Sequence, residues 1–301
     1  MSFTNDDTVQ KLEKIFPKSI NNQSVPKDIL VIINEYIPKL NDKNIHQAVK
    51  DYLSENENKK QQVINNYGRI NDWDVSQVTN MKKLFAGINH FNEDISNWNV
   101  SNVTTMQSMF YNATSFNQPL NNWNVSNVTD MRYMFYNALK FNQTLNNWNI
   151  SKVTNMQGMF YKANTFNQPL DNWNVSKVTN MNEMFKDAQS FNQPLDKWNV
   201  SNVKYMTKMF EGAKDFNQPI SSWNVSNVMY MNNMFHSADK FNQFIDSWNV
   251  SQVTTMEYMF EDAWNFNQSL NNWDVSQVTD MESMFEDATK FDQPHAAWYD
   301  A

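Results

Sequence analysis

The chain contains four histidines, His46, His90, His236 and His295, and no cysteine. Imidazole and thiolate are the side chains that most often hold zinc or serve as nucleophile and base near neutral pH. No histidine stands at ligand spacing from another or from a carboxylate cluster, so no metal centre is expected. The missing thiol removes disulfides, thiolate metal sites and a cysteine nucleophile. With only four glycines there is also no G-x-G-x-x-G, no P-loop and no G-x-S-x-G. The expectation is a protein that is not an enzyme and takes no cofactor.

What the side chains do offer is contact chemistry. Tyr111, Tyr136 and Tyr161 recur at one spacing, Tyr205 and Tyr230 recur at the same spacing, and Trp264 stands outside the regular tryptophan series. Large aromatics with a polar tip are the side chains that anchor protein interfaces. These six residues form the candidate partner-binding set, and a protein partner is expected.

The spacing belongs to a repeat that must position them. Trp73, Trp98, Trp123 and their successors to Trp298 are each 25 residues apart with no insertion. Counted from the tryptophan, the unit reads W-[ND]-V-S-x-V-T-x-M-x-x-M-F-x-x-A-x-x-F-N-Q-P-L-x-x, in nine full copies from Trp73 to Ala297. A period of this length indicates stacked units, and it is too short for a propeller blade. No single unit encloses a core, so neighbouring copies must complete it.

Within one unit Met131, Met134, Phe135 and Ala138 fall at i, i+3, i+4 and i+7, and Thr129 occupies an N-cap position, which predicts a helix over Thr129 to Leu139. Alternation around Leu120, Trp123 and Val125 predicts a short strand, with proline in five copies separating helix from strand. The fold class expected is α/β, a leucine-rich-repeat-like solenoid of strand–helix coils with a small all-α N-terminal cap.

In that scheme the Met, Phe and Trp columns pack inward, each indole N–H finding a backbone carbonyl. Asn124, Asn149, Asn174 and Asn199 align beside Ser126, Ser151, Ser176 and Ser201 on the outer strand face, as hydrogen-bond ladders or as a polar surface for a partner. Tyr111, Tyr136 and Tyr161 share one exposed helical position, which later copies fill with Lys186, Glu211, His236, Glu261 and Glu286. Tyr205 and Tyr230 follow Lys204 and Met229, which replace the capping threonine.

Residues 1–65 lack the repeat, and three helices are expected there, Asp6–Phe16, Pro26–Tyr36 and Lys43–Leu53. The chain thus divides into a helical cap, 1–65, and the repeat region, 66–301. The net charge of −8 is concentrated in residues 250–301, which carry one Lys/Arg against ten Asp/Glu. That balance argues against a nucleic-acid ligand. No run of 18 apolar residues appears, so no membrane insertion is expected, and the start lacks a secretory pattern, giving the expectation of an intracellular location.

Units such as WNVSNVTTMQSMFYNATSFNQPLNN resemble the repeats of BspA-like leucine-rich repeat surface proteins, also described as a mycoplasma-type lipoprotein repeat family, over about residues 62–298. The resemblance implies a curved solenoid used for adhesion or protein recognition, without catalysis. SVPKDILVIINEYIPKLNDKNIHQAVKDYL resembles the outline of an F-box at Val25, Pro26, Asp28, Ile29, Ile33 and Ile37. This implies a ubiquitin-ligase adaptor docking a Skp1-like protein through residues 1–65. Two further readings remain at this level: carbohydrate binding through exposed tryptophans, and homo-oligomerisation through the ends of the solenoid.

Overall fold

The computed structural model describes residues 39–299. Helix α1, Ile45–Tyr52, and helix α2, Glu57–Tyr67, precede the repeats. α1 buries Ile45, Ala48, Val49 and Tyr52, the i, i+3, i+4, i+7 face of the helix expected over 43–53. α2 was not anticipated; Asn56 caps it by accepting from the Asn58 and Lys59 N–H groups, and Gly68 ends it. The helices expected over 6–16 and 26–36, and the F-box-like outline, lie outside the described residues.

From Trp73 onward each 25-residue unit forms one coil, and consecutive coils stack in register. Columns are numbered here from the tryptophan as 1. Column 8 forms an unbroken series of parallel bridges, Asn80 to Thr105, Thr105 to Asp130 and so on to Asp280. The inward columns are Trp 1, Val 3 and 6, Met 9 and 12, Phe 13, Ala 16, Phe 19 and Leu or Ile 23, all buried through the middle of the stack. Phe135 and Phe141 stack at 4.1 Å within a coil, and Phe135 meets Phe160 of the next coil at 5.7 Å. Trp148 and Trp173 lie parallel at 6.4 Å.

The helix expected over Thr129–Leu139 does not form. An α-helix would return every N–H to the carbonyl four residues back and leave none for a neighbour. Here the donors alternate. Met131, Tyr133, Phe135 and Asn137 donate to Asn155, Gln157, Met159 and Tyr161 of the next coil, at 2.6–3.2 Å. Met134, Tyr136 and Ala138 donate three residues back within their own coil. The chain turns so tightly because columns 11 and 15 adopt the left-handed conformation, as at Tyr133 (φ 55) and Asn137 (φ 54), and this recurs in all nine coils. Column 15 reads Gly, Asn, Asn, Lys, Asp, Gly, Ser, Asp, Asp, and its seven Gly, Asn and Asp residues are types that tolerate positive φ.

The strand expected around Trp123 is also replaced by turns: Trp123 N–H donates to Leu120 and Val128 N–H to Val125, each three residues back. Asn124, Asn149, Asn174 and Asn199 form no ladder between coils. Each accepts from the serine N–H two residues on, closing an Asx turn within its own coil. Ladders run elsewhere. Asn167 Oδ1 accepts from Asn192 N–H and from Gln193 Nε2 of the next coil, both at 3.0 Å, and the same pair of bonds recurs along column 20. Threonine hydroxyls of column 7 donate to the column 7 carbonyl of the preceding coil. From Trp98 onward each repeat indole N–H reaches a carbonyl 28 residues back, as Trp173 does to Leu145 at 3.0 Å, whereas Trp73 donates to Gly68 just before it.

The first coil has no predecessor, and residues 41–42 take that place. Asn41 bridges to Gln77, and the Asp42 carboxylate accepts from Thr79 N–H at 2.8 Å, Thr79 hydroxyl at 2.6 Å and Asn80 N–H at 3.0 Å.

Two stability predictions follow from these ladders. Replacing Asn167 with leucine strands the Asn192 N–H and the Gln193 amide, so stability in urea falls by about 1–3 kcal/mol. At Ser237, φ 53, the valine variant is less stable than the glycine variant by about 1–2 kcal/mol in the same assay.

Candidate recognition face

The residues that vary between coils flank the turn-rich ladder, chiefly in columns 8, 10, 11, 14, 15 and 17. Tyr111, Tyr136 and Tyr161 are consecutive members of column 14, which is half-buried and part of a turn rather than an exposed helical position. The Tyr111 and Tyr136 rings stack at 4.3 Å and 8°, whereas Tyr136 and Tyr161 meet at 4.7 Å and 66°. Tyr133, which the sequence analysis passed over as a column 11 residue, joins them edge-on at 6.1 Å from Tyr136. Its ring lies over Gly158, whose missing β-carbon leaves the space the ring occupies. The Nζ atoms of Lys162 and Lys186 each lie 5.4 Å from the Tyr161 ring centre, within cation–π range. Burial pushes the phenols of Tyr111, Tyr133 and Tyr161 up from their ordinary value.

Below the tyrosines the same columns become charged. Lys186 pairs with Glu211, which also meets Lys208 at 3.2 Å. His236 lies 3.6 Å from Glu261 and 3.8 Å from Asp262. Asp187 sits over Gly212, and burial raises its carboxyl above the ordinary range; Lys186 opposes that shift while Glu211 adds to it. Burial also raises the Glu261 carboxyl; His236 works against this, and Asp262, Glu286 and Asp287 reinforce it. The end of the face is therefore acidic.

The structure does not gather the six candidate residues into one cluster. Tyr205 and Tyr230 stack at 5.6 Å and 5° in column 8, at the parallel bridge that joins them, with Tyr205 and Met229 exposed. Trp264 occupies column 17, is 49% exposed, and points its indole N–H at Asp262 at 3.4 Å. Leu139 shares column 17 and is exposed too. Phe244, 52% exposed, was missed; it stands in column 22, where five copies carry proline, and a lone aromatic in that column was a usable signal.

The tryptophans of column 1 from Trp73 to Trp273 are no more than 4% exposed and use their N–H groups internally, so they offer no stacking platform for sugar rings. Among the described residues no group of three or more His, Asp or Glu side chains is arranged to hold a metal ion, and no helix is long and apolar enough to cross a membrane.

The fold and this face define a tandem 25-residue-repeat protein with constant interior columns and variable outer ones. The chain belongs to the family described as Mycoplasma protein of unknown function, DUF285, whose model matches residues 54–164, 141–243 and 218–300. No curated protein matches the chain.

The raised Asp187 carboxyl sets a pH dependence. The folded chain holds this proton to higher pH than the unfolded chain, so the ionised form costs stability above the ordinary carboxylate range and the cost disappears below it. Asp187→Asn is expected to be more stable than the parent at pH 7, with a difference that shrinks as the pH falls toward 3. Urea unfolding across that range checks the sign, and a difference independent of pH contradicts it.

Proposed function

We propose that this chain is a non-enzymatic recognition scaffold that holds a protein partner against the outer columns of its stacked coils, in the manner implied by its resemblance to BspA-like repeat proteins. The observation that carries this reading is the division between columns. Inward positions keep one residue type through nearly all nine copies, while columns 8, 10, 11, 14, 15 and 17 change from coil to coil. An architecture of invariant interior and variable exterior supplies a rigid surface whose side chains are free to specify a partner.

On that surface the row Tyr111, Tyr136, Tyr161 with Tyr133 provides the broadest aromatic contact area, held in place by stacking and by flanking lysines. Half-buried rings of this kind lose little side-chain freedom on binding and expel water from a partner's apolar surface. Tyr205, Tyr230 and Trp264 extend the surface along the stack.

The test compares the full chain with a triple variant, Tyr111→Ser, Tyr136→Ser and Tyr161→Ser, as bait in extracts of the native host. Thermal melting establishes that the variant is folded. A partner retained by the parent is expected to be recovered at least tenfold less with the variant. Equal recovery by both baits, or no partner with either, overturns this assignment of the face.

A further inference from the structure

Four of the variable columns share one face. Tyr133 in column 11 touches Tyr136 in column 14, and Lys208 in column 11 pairs with Glu211 in column 14. His236 in column 14 lies 3.8 Å from Asp262 in column 15, and the Tyr258 hydroxyl in column 11 donates to Glu282 in column 10.

Charge is polarised along this face. With coils numbered from Trp73, coils 1–4 carry Lys82, Lys83, Arg132 and Lys162 in columns 10, 11, 14 and 15, and no Asp or Glu. In the same columns coils 6–9 carry seven Asp and Glu against Lys208. Lys82, Lys83 and Lys162 are exposed at one side, and Glu282, Glu286 and Asp287 at the other. Arg132 is matched within its own coil by Asp130. The acidic half repels itself: burial raises the Glu261 carboxyl, and Asp262, Glu286 and Asp287 push it further against the pull of His236. Cations set opposite these coils would relieve that repulsion.

We propose that this face pairs with the same face of a second copy, antiparallel, about a two-fold axis through coil 5. The inference rests on the face assigned above and names its occupant. An axis lying in the interface across the stack keeps each column opposite itself and sets coil 1 against coil 9, coil 2 against coil 8 and so inward. Both copies have the same coil spacing, so the match holds from coil to coil. Lys82 then meets Glu282 in column 10. In column 14 the phenols of Tyr111 and Tyr161 meet the carboxylates of Glu261 and Glu211 as donors to acceptors, and Tyr136 meets His236. Away from the axis no two charges of one sign oppose each other within these four columns. At the axis Lys186 faces its own equivalent, with Glu183 and Asp187 beside it in columns 11 and 15. A parallel pair would instead set the acidic coils against each other, so charge selects the antiparallel one. Four columns in nine coils also offer more side chains than the about 20–30 per partner of a standard interface.

Sedimentation equilibrium of the full chain at low salt is expected to show a dimer that weakens as salt rises. The variants Lys82→Glu/Lys83→Glu and Glu282→Lys/Glu286→Lys should each dimerise at least about tenfold more weakly, and an equimolar mixture of the two should recover a heterodimer, because each reversed half then meets the other. Asn182→Cys, at the axis of a chain that has no cysteine, should be cross-linked into a dimer by a short bismaleimide. Gln107→Cys should not, since its two copies lie about 29 Å apart along the paired stacks. A chain that stays monomeric at low salt, a dimer indifferent to the charge reversals or not restored by mixing them, or cross-linking at 107 in preference to 182 overturns the proposal. A monomer whose separate host partner is still lost with the tyrosine variant overturns the second copy alone and leaves the recognition face standing.

Discussion

Alternate backbone N–H groups in columns 9 to 15 leave their own coil and bond to the next, and the rest of the structure depends on this division. If the donors all turned inward the unit would be a short helix with nothing to hold its neighbour; if all turned outward it would be an extended strand unable to close within 25 residues. Sharing them requires two left-handed residues per coil, and even Tyr133, Lys208 and Tyr258 adopt that conformation because bonds on both sides hold them there. The price is local strain, and it is offset by a continuous core that no single coil possesses.

Register follows from the same constraint. Each N–H that leaves its coil has one acceptor in the adjacent coil, so an insertion in any copy would displace a whole set of bonds, and none of the nine copies contains one. Columns therefore become the unit of design. Phenylalanine stacks on phenylalanine, tryptophan on tryptophan, and column 20 asparagines such as Asn167 supply an acceptor for two donors of the next coil. These like-on-like contacts are available to neutral side chains, but a column of identical charges would repel. The outer columns accordingly alternate or pair their charges through the middle of the stack, as Lys186, Glu211 and Lys208 do, and accumulate one sign only near the end.

The ends show what the interior would need without neighbours. At the amino-terminal side a carboxylate substitutes for a backbone: Asp42 accepts three hydrogen bonds from Thr79 and Asn80, while Tyr52 of α1 packs edge-on against Trp73 at 5.5 Å. The carboxy-terminal side has a smaller cover, built from one turn and the Tyr299 ring.

The amino-acid sequence by itself determined the period, the number of coils, the inward columns and the burial of the repeat tryptophans from Trp73 to Trp273 with their N–H groups on carbonyls, since these depend on side-chain type at fixed spacing. The candidate aromatics were legible only as members of columns. The sequence spacing of Met131, Met134, Phe135 and Ala138 fits a helix and equally fits a coil of tight turns, because both place those side chains on one side. Only tertiary structure decided between them, by supplying the carbonyls of the next coil as competitors for the helix's own. The Asn and Asp residues of column 15 hinted at that outcome, whereas Tyr133 over Gly158 and the separation of Tyr205 and Tyr230 from the column 14 row arise from contacts between residues about 25 apart, which no local pattern records.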